Sequence, residues 1–348
     1  LLFYSVDEEG ALLFAVKPAN PGASGAAGFA AFRLPVKGAD LKAQVETFRQ
    51  TLIGDRLNAE SLRAQGQRLY AELVRPAESF LERSERLLIV PDGPLHTLPF
   101  AALVRQDHRY LVEWKPLRFA VSVTALAELQ KRRRPGEGQE GRGLVAFGDP
   151  LIAKTASAYP PLPQSRAEVE GIARLFPGAR LFLGREATEE NARSLGPDAR
   201  WLHFAVHGVL NAKLPTHSGL ALSPPPAGSE EPGNGLLQAW EIMEDLRLDA
   251  DLVTLSACDT ALGTEVGGEG LLGLTRAFQY AGARSVLATL WGISDRSTAP
   301  WMSRFYRELR DGKSKDEAVR AAQVEQIRSP DGPYPFYWAA FQLYGDWR

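Results

Sequence analysis

The chain has 348 residues, 45% of them hydrophobic and 24% charged, a length that corresponds to about two domains. Its 40 Lys and Arg nearly balance 42 Asp and Glu, so no global field favours nucleic acid or an anionic membrane. A single cysteine, Cys258, excludes an internal disulfide framework and a thiolate zinc cluster, and no apolar run approaches the ~18 residues of a membrane span.

Residues 1–6 form a strand-like run without a basic n-region or cleavage site. They do not read as a signal peptide, and the single cysteine makes the cytoplasm the expected location. A first residue of Leu rather than Met leads us to expect an upstream segment. Strands are predicted at 1–6 and 11–16 around the turn chemistry of Asp7-Glu8-Glu9-Gly10, with a third at 28–34. Two amphipathic helices follow: Leu41, Val45, Phe48 and Leu52 recur at helical spacing, and so do Leu62, Leu69 and Leu73, with Phe80 as a further candidate for the second stripe. Leu87-Leu88-Ile89-Val90 reads as a short buried strand stopped by Pro91-Asp92-Gly93.

Between Lys131 and Gly143 the chain is charged, glycine-rich and free of apolar residues, which marks a linker. We therefore expect an accessory unit over 1–135 and a second unit over 141–348. In the second, short and almost wholly apolar runs at 144–147, 181–183, 202–206, 252–257 and 285–290 alternate with helical stretches near 164–176, 188–195, 238–246, 270–282, 297–311 and 314–328. That alternation predicts an α/β fold with a mostly parallel sheet covered by helices on both faces. Residues 224–235, rich in Pro and Gly, read as a surface loop, and no internal repeat is visible.

Reactive groups in open α/β sheets gather at the carboxyl ends of the strands. One such end carries His207-Gly208 and another carries Cys258. Their separation of 51 residues allows a strand exit, a crossover helix and a return to a neighbouring strand. A thiol with a pKa near 8.5 is only a few per cent thiolate at neutral pH, and an adjacent imidazole can take its proton and return it to a leaving amine. The amides of Gly208 and Cys258 could together hold an oxyanion. The alternative is a small buried cysteine and a satisfied core histidine.

Other signals are weaker. His203 and His207 have the i, i+4 spacing of a zinc helix, but they lie in a strand-like run with no Glu, and no metal site is expected. Gly268-Glu269-Gly270-Leu271-Leu272-Gly273 matches a dinucleotide fingerprint that opens a helix, yet the preceding strand ends about ten residues too early. A nucleotide-binding protein is therefore a rival reading. No G-x-S-x-G elbow is present.

The chain resembles the CHAT family, caspase-like cysteine peptidases often fused behind TPR repeats. The likeness lies in Leu1-Leu2-Phe3-Tyr4, the run from Pro91 to Phe100, Leu202-His203-Phe204-Ala205-Val206-His207-Gly208, Ser256-Ala257-Cys258-Asp259-Thr260-Ala261-Leu262-Gly263, Gly268-Glu269-Gly270-Leu271, and Leu290-Trp291 followed by Asp295. The resemblance implies a caspase-like peptidase half behind a smaller, pseudo-protease-like half, a pairing similar to separase. It further implies His207 as general base, Cys258 as nucleophile and the amides of Gly208 and Cys258 as oxyanion hole, with His96 structural. No cofactor is implied.

Metacaspase relatives place an acidic residue two positions before the cysteine, where this chain has Ser256. A basic P1 preference would instead rest on Asp295, with Trp291 as a pocket wall and Asp259 and Glu269 as alternatives; a helix N-cap is the competing role for Asp295. The expected activity is cleavage of a protein substrate, regulated by an upstream TPR-like segment or partner protein, without direct nucleic-acid or membrane binding. The rival within the same fold is a non-catalytic binding or scaffold module.

Overall fold

A computed structural model describes residues 1–17, 28–54, 58–131, 143–152, 162–211, 213–225, 233–256, 269–293, 295–330 and 333–348. The expected linker, at 132–142, lies outside them. Tertiary contacts divide the chain into one unit of Leu1–Val123 with Gln323–Ala339 and another of Thr124–Ala322 with Ala340–Arg348.

In the first unit, β1 (Leu2–Val6), β2 (Ala11–Lys17) and β3 (Gly28–Leu34) make an antiparallel meander. Helices α1 (Gly38–Gly54), α2 (Ala59–Leu73) and α3 (Glu78–Leu81) follow, then β4 (Leu87–Val90), α4 (Leu111–Trp114) and β5 (Leu117–Phe119). β4 runs parallel to both β1 and β5, giving the strand order β3-β2-β1-β4-β5. The predicted stripe of Leu41, Val45, Phe48 and Leu52 is fully covered, as are Leu62, Leu69 and Leu73. Each such side chain stabilises the fold by roughly 1.5–3 kcal/mol through burial. Tyr4, Phe100 and Phe119 stack tilted rings at 5.8 and 5.9 Å through the centre.

The second unit begins with α5 (Val123–Lys131), β6 (Gly143–Gly148), α6 (Ser165–Ala173), β7 (Arg180–Leu183), α7 (Glu189–Arg193) and β8 (Ala199–Ala205). Three short strands come next: β9 (His207–Val209), β10 (Gly219–Ala221) and β11 (Leu236–Gln238). The unit continues with α8 (Ala239–Asp245), β12 (Leu252–Leu255), α9 (Glu269–Ala281), β13 (Ser285–Thr289), α10 (Asp295–Arg310), α11 (Lys315–Arg328) and β14 (Phe341–Gly345). The chain passes from one unit to the other after Val123, after Ala322 within α11, and after Ala339.

The main sheet of this unit has the order β14-β13-β12-β8-β6-β7, and all its pairings are parallel except β13 with β14. All five strands predicted here are present. β14 was not predicted: five residues with Gln342 among them are too few to show a period that separates strand from buried helix.

Alternation along β8 sends neighbouring side chains to opposite faces. Phe204 stacks on Phe147 at 5.0 Å and meets Phe278 of α9 at 5.7 Å, in the core shared with α8. His203 points the other way, to Glu168 of α6 and Tyr306 of α10. The sheet is thus covered by helices on both faces. No helix among the described residues is long and apolar enough to cross a membrane.

Candidate functional site

β8 ends at Ala205, and after Val206 the chain enters β9, whose first residue is His207. β9 pairs antiparallel with β10, matching His207 with Ala221 and Gly208 with Leu220, and β11 pairs on the far side of β10. This three-stranded ribbon at the carboxyl end of β8 was not predicted, since three-residue strands carry no legible alternation. It holds His207 at 1% exposure and keeps Gly208 buried.

β12 lies directly beside β8 and parallel to it. Leu252 pairs with Trp201, Val253 with Leu202, Thr254 with His203 and Leu255 with Phe204, a constant offset of 51 residues. Ser256, the last described residue before the gap, is 8% exposed. Cys258 and Asp259 lie outside the described residues, and so do the side chains of Glu269 and Asp295. Of the positions expected to contact substrate, Trp291 is described: it follows β13 after Leu290 and is 3% exposed. Asp295 is the first residue of α10.

The loop that leaves β9 is fixed by its own polar residues. Asn211 Oδ1 accepts from the amides of Lys213 and Leu214 at 3.1 and 2.9 Å, and Ser218 Oγ accepts from the Asn211 amide at 2.9 Å. This loop rests against the start of α9. A Cβ on Gly273 would stand 2.9 Å from the carbonyl oxygen of Pro215, and one on Gly270 would stand 3.0 Å from Leu210 Cβ. These two glycines therefore serve close packing between the helix and the loop after His207. β12 also ends at Leu255, fourteen positions before α9 opens at Glu269, a spacing unlike the tight strand-to-glycine turn of a dinucleotide site.

The ribbon is anchored from behind by an ionic cluster that the sequence did not disclose. Glu189 Oε2 accepts from the amides of Asn234 and Gly235, both at 3.1 Å, and Glu241 Oε2 accepts from the Gln238 amide at 2.8 Å. Arg193 bonds both carboxylates and reaches Asp245 at 3.4 Å. Burial is the main reason that the Glu241 carboxyl is held above its usual value, with Glu189 adding to the shift and the Gln238 amide and Arg193 opposing it.

Both ring nitrogens of His203 are engaged, Nε2 with Glu168 and Nδ1 with Tyr306, so the i, i+4 histidines do not act as a metal pair. Glu168 and Tyr306 carried no sequence signal; each sits within an ordinary helical pattern.

The model of the CHAT domain matches residues 63–346. Tetratricopeptide repeat protein 28 of Mus musculus is 29% identical over 328 residues, and that of Homo sapiens 27% over 325. Each match covers 80% of this chain and 13% of the relative, so the chain spans a small part of those proteins. Among solved structures, the Arg specific cysteine proteinase gingipain R superposes with a TM-score of 0.50 at 10% identity, over 89% of this chain and 74% of that one. The Saccharomyces cerevisiae separase–securin complex gives a TM-score of 0.49 at 14% identity, over 90% of this chain and 21% of the match. The likeness to gingipain R concerns the fold, and the mostly parallel sheet flanked by helices is the caspase-like class that the sequence led us to expect.

Proposed function

The chain belongs to the CHAT domain family, and from that premise we propose that it is a cysteine endopeptidase working through His207 and Cys258. One observation carries the reading: the β8–β12 register has an offset of 51 residues, which is also the separation of His207 from Cys258. In the proposed site the thiol continues that offset and faces the imidazole at the carboxyl ends of two adjacent parallel strands, where open α/β sheets gather their chemistry.

The imidazole takes the thiol proton, and the thiolate sulfur attacks the scissile carbonyl carbon. The resulting oxyanion accepts from the amides of Gly208 and Cys258, donors worth roughly 3–4 kcal/mol each. His207 then protonates the departing amine, and water hydrolyses the thioester with His207 again as base. The substrate is a protein. A basic P1 residue is set by Asp295 at the head of α10 with Trp291 as a pocket wall, Asp259 and Glu269 being the alternative wall residues. Activity is controlled by a TPR-like segment or partner protein, a reading supported by the repeats named in the curated relatives, and the enzyme works in the cytoplasm.

Digestion of an unbiased peptide library, read by mass spectrometry for wild type and Cys258→Ala, tests this. Cuts after Arg or Lys that vanish in the variant are expected. Cuts shared by both proteins would remove the nucleophile assignment. An uncut library, with partner protein supplied, would favour the non-catalytic module.

A further inference from the structure

A chain of polar side chains is buried between β8, β12 and the helices α6 and α10, where apolar groups would cover the sheet at lower cost. Glu168 of α6, His203 of β8, Thr254 of β12 and Tyr306 of α10 are all between 0% and 3% exposed. Glu168 Oε1 lies 3.0 Å from His203 Nε2, and His203 Nδ1 lies 3.1 Å from the Tyr306 hydroxyl. That hydroxyl donates to Thr254 Oγ1 at 2.8 Å. His203 and Thr254 are also register partners across β8 and β12. Residues 207 and 258 stand four positions further along the chain from each.

The backbone ladder already fixes β8 against β12, but it does not fix either strand against the helix layer. Apolar packing tolerates small slides, whereas a buried hydrogen-bonded chain is satisfied in one placement and costly in others. The Tyr306 hydroxyl reaches both His203 and Thr254, so it sees both strands at once. Burial also pushes the Tyr306 hydroxyl upward, which keeps its proton in place.

We propose that Tyr306, bridging His203 and Thr254 with Glu168 behind them, is a positioning residue that sets how the ends of β8 and β12 present His207 and Cys258 to one another. The inference rests on the dyad reading above. Two strands and two helices are held by one set of directional bonds, and a displacement of about 1 Å at a reacting pair can cost up to a hundredfold in rate.

The test is the pH profile of Cys258 alkylation by iodoacetamide in the full 348-residue chain, where it is the sole thiol. Tyr306→Phe and Thr254→Val remove hydroxyls at nearly constant volume, Thr254→Ser restores one, and His207→Ala gives the baseline. At about pH 6 the wild type should alkylate roughly ten to a hundred times faster than His207→Ala. Tyr306→Phe should lose most of that advantage and shift its profile towards an ordinary thiol near 8.5, while Thr254→Ser keeps the wild-type profile. A purely structural role would lower the melting temperature and leave the profile where it was. If Tyr306→Phe folds poorly, Thr254→Val reads the same bond from the strand side. A wild-type profile in both hydroxyl-deleted variants overturns the positioning role and leaves the dyad standing. Equal profiles for wild type and His207→Ala overturn the dyad, and the positioning role with it.

Discussion

β4 in the first unit and β8 in the second are both short, buried, parallel-paired strands that run into a histidine-bearing segment, and they end in opposite ways. β4 is closed at once. Asp92 accepts from the amides of Val6 and Gly93 at 2.8 and 3.0 Å, Gly93 takes a φ of +53° that suits glycine, and a 3-10 turn over Gly93–Thr97 folds His96 into a half-buried position. β8 is left open. Its chain turns off into the β9–β11 ribbon, so His207 stands two residues past the carboxyl end of β8, the strand that pairs with β12. On the proposed reading, a strand of the same kind becomes a structural corner or a place for chemistry according to how its exit is capped.

The sharpest way to break this contrast is to remove the groups at the open end. On the proposed reading, His207→Ala and Cys258→Ala should each lower cleavage by about a thousandfold or more, because the two would act as a unit. A His96→Ala variant should cleave as the wild type does, and loss of cleavage in it would erase the distinction between the two strand ends.

A second test moves the loop behind His207. Gly273→Ala places a methyl 2.9 Å from the Pro215 carbonyl oxygen. Overpacking of this kind costs about 1–3 kcal/mol, more than the ~1 kcal/mol that alanine returns in a helix. Urea unfolding should show a net loss near 1 kcal/mol, and cleavage should fall with it. In Gly171→Ala the new methyl would meet only Ser303 Oγ, at 3.8 Å, so that variant should instead gain about 0.5–1 kcal/mol. The same sign for both substitutions would contradict the packing role of Gly273.

At the closed end, Asp92→Ala should cost about 1 kcal/mol in unfolding experiments, as loss of a capping carboxylate does, and leave cleavage unchanged. The smallest effect concerns the ribbon's anchor. Because burial raises the Glu241 carboxyl, the folded state holds that proton more tightly than the unfolded chain. Its contribution therefore favours folding below the usual value of 4.5 and is lost as pH rises through the higher folded value. The stability of wild type relative to Glu241→Gln should fall across that rise; a flat difference would show that the burial is not felt by the carboxyl.

Much of the frame was legible in the sequence. The Leu41-Val45-Phe48-Leu52 stripe and the five apolar runs of the second unit were readable because burial on one helix face, or on both faces of a strand, imposes its own period. His207 stood out as a candidate because a histidine followed by glycine at a strand end is chemically conspicuous. The short ribbon strands were not readable, being below the length at which a period exists. Glu168, Thr254 and Tyr306 come together through three separate elements, and nothing local in any of them reports the others. Gly270 and Gly273 showed the converse problem: a pattern with a familiar ligand-binding meaning turned out to answer to the Pro215 carbonyl and Leu210.

The central claim is that the 51-residue offset between β8 and β12 brings His207 and Cys258 together, and a cross-link measures it most directly. His207→Cys adds one thiol to a chain that otherwise has only Cys258. Mild oxidation followed by peptide mapping should recover a single disulfide joining positions 207 and 258, since a disulfide forms only where Cα atoms lie within about 7 Å. Two thiols that stay free under those conditions, in a folded protein, would mean that the strand ends do not meet and that the proposed site is wrong.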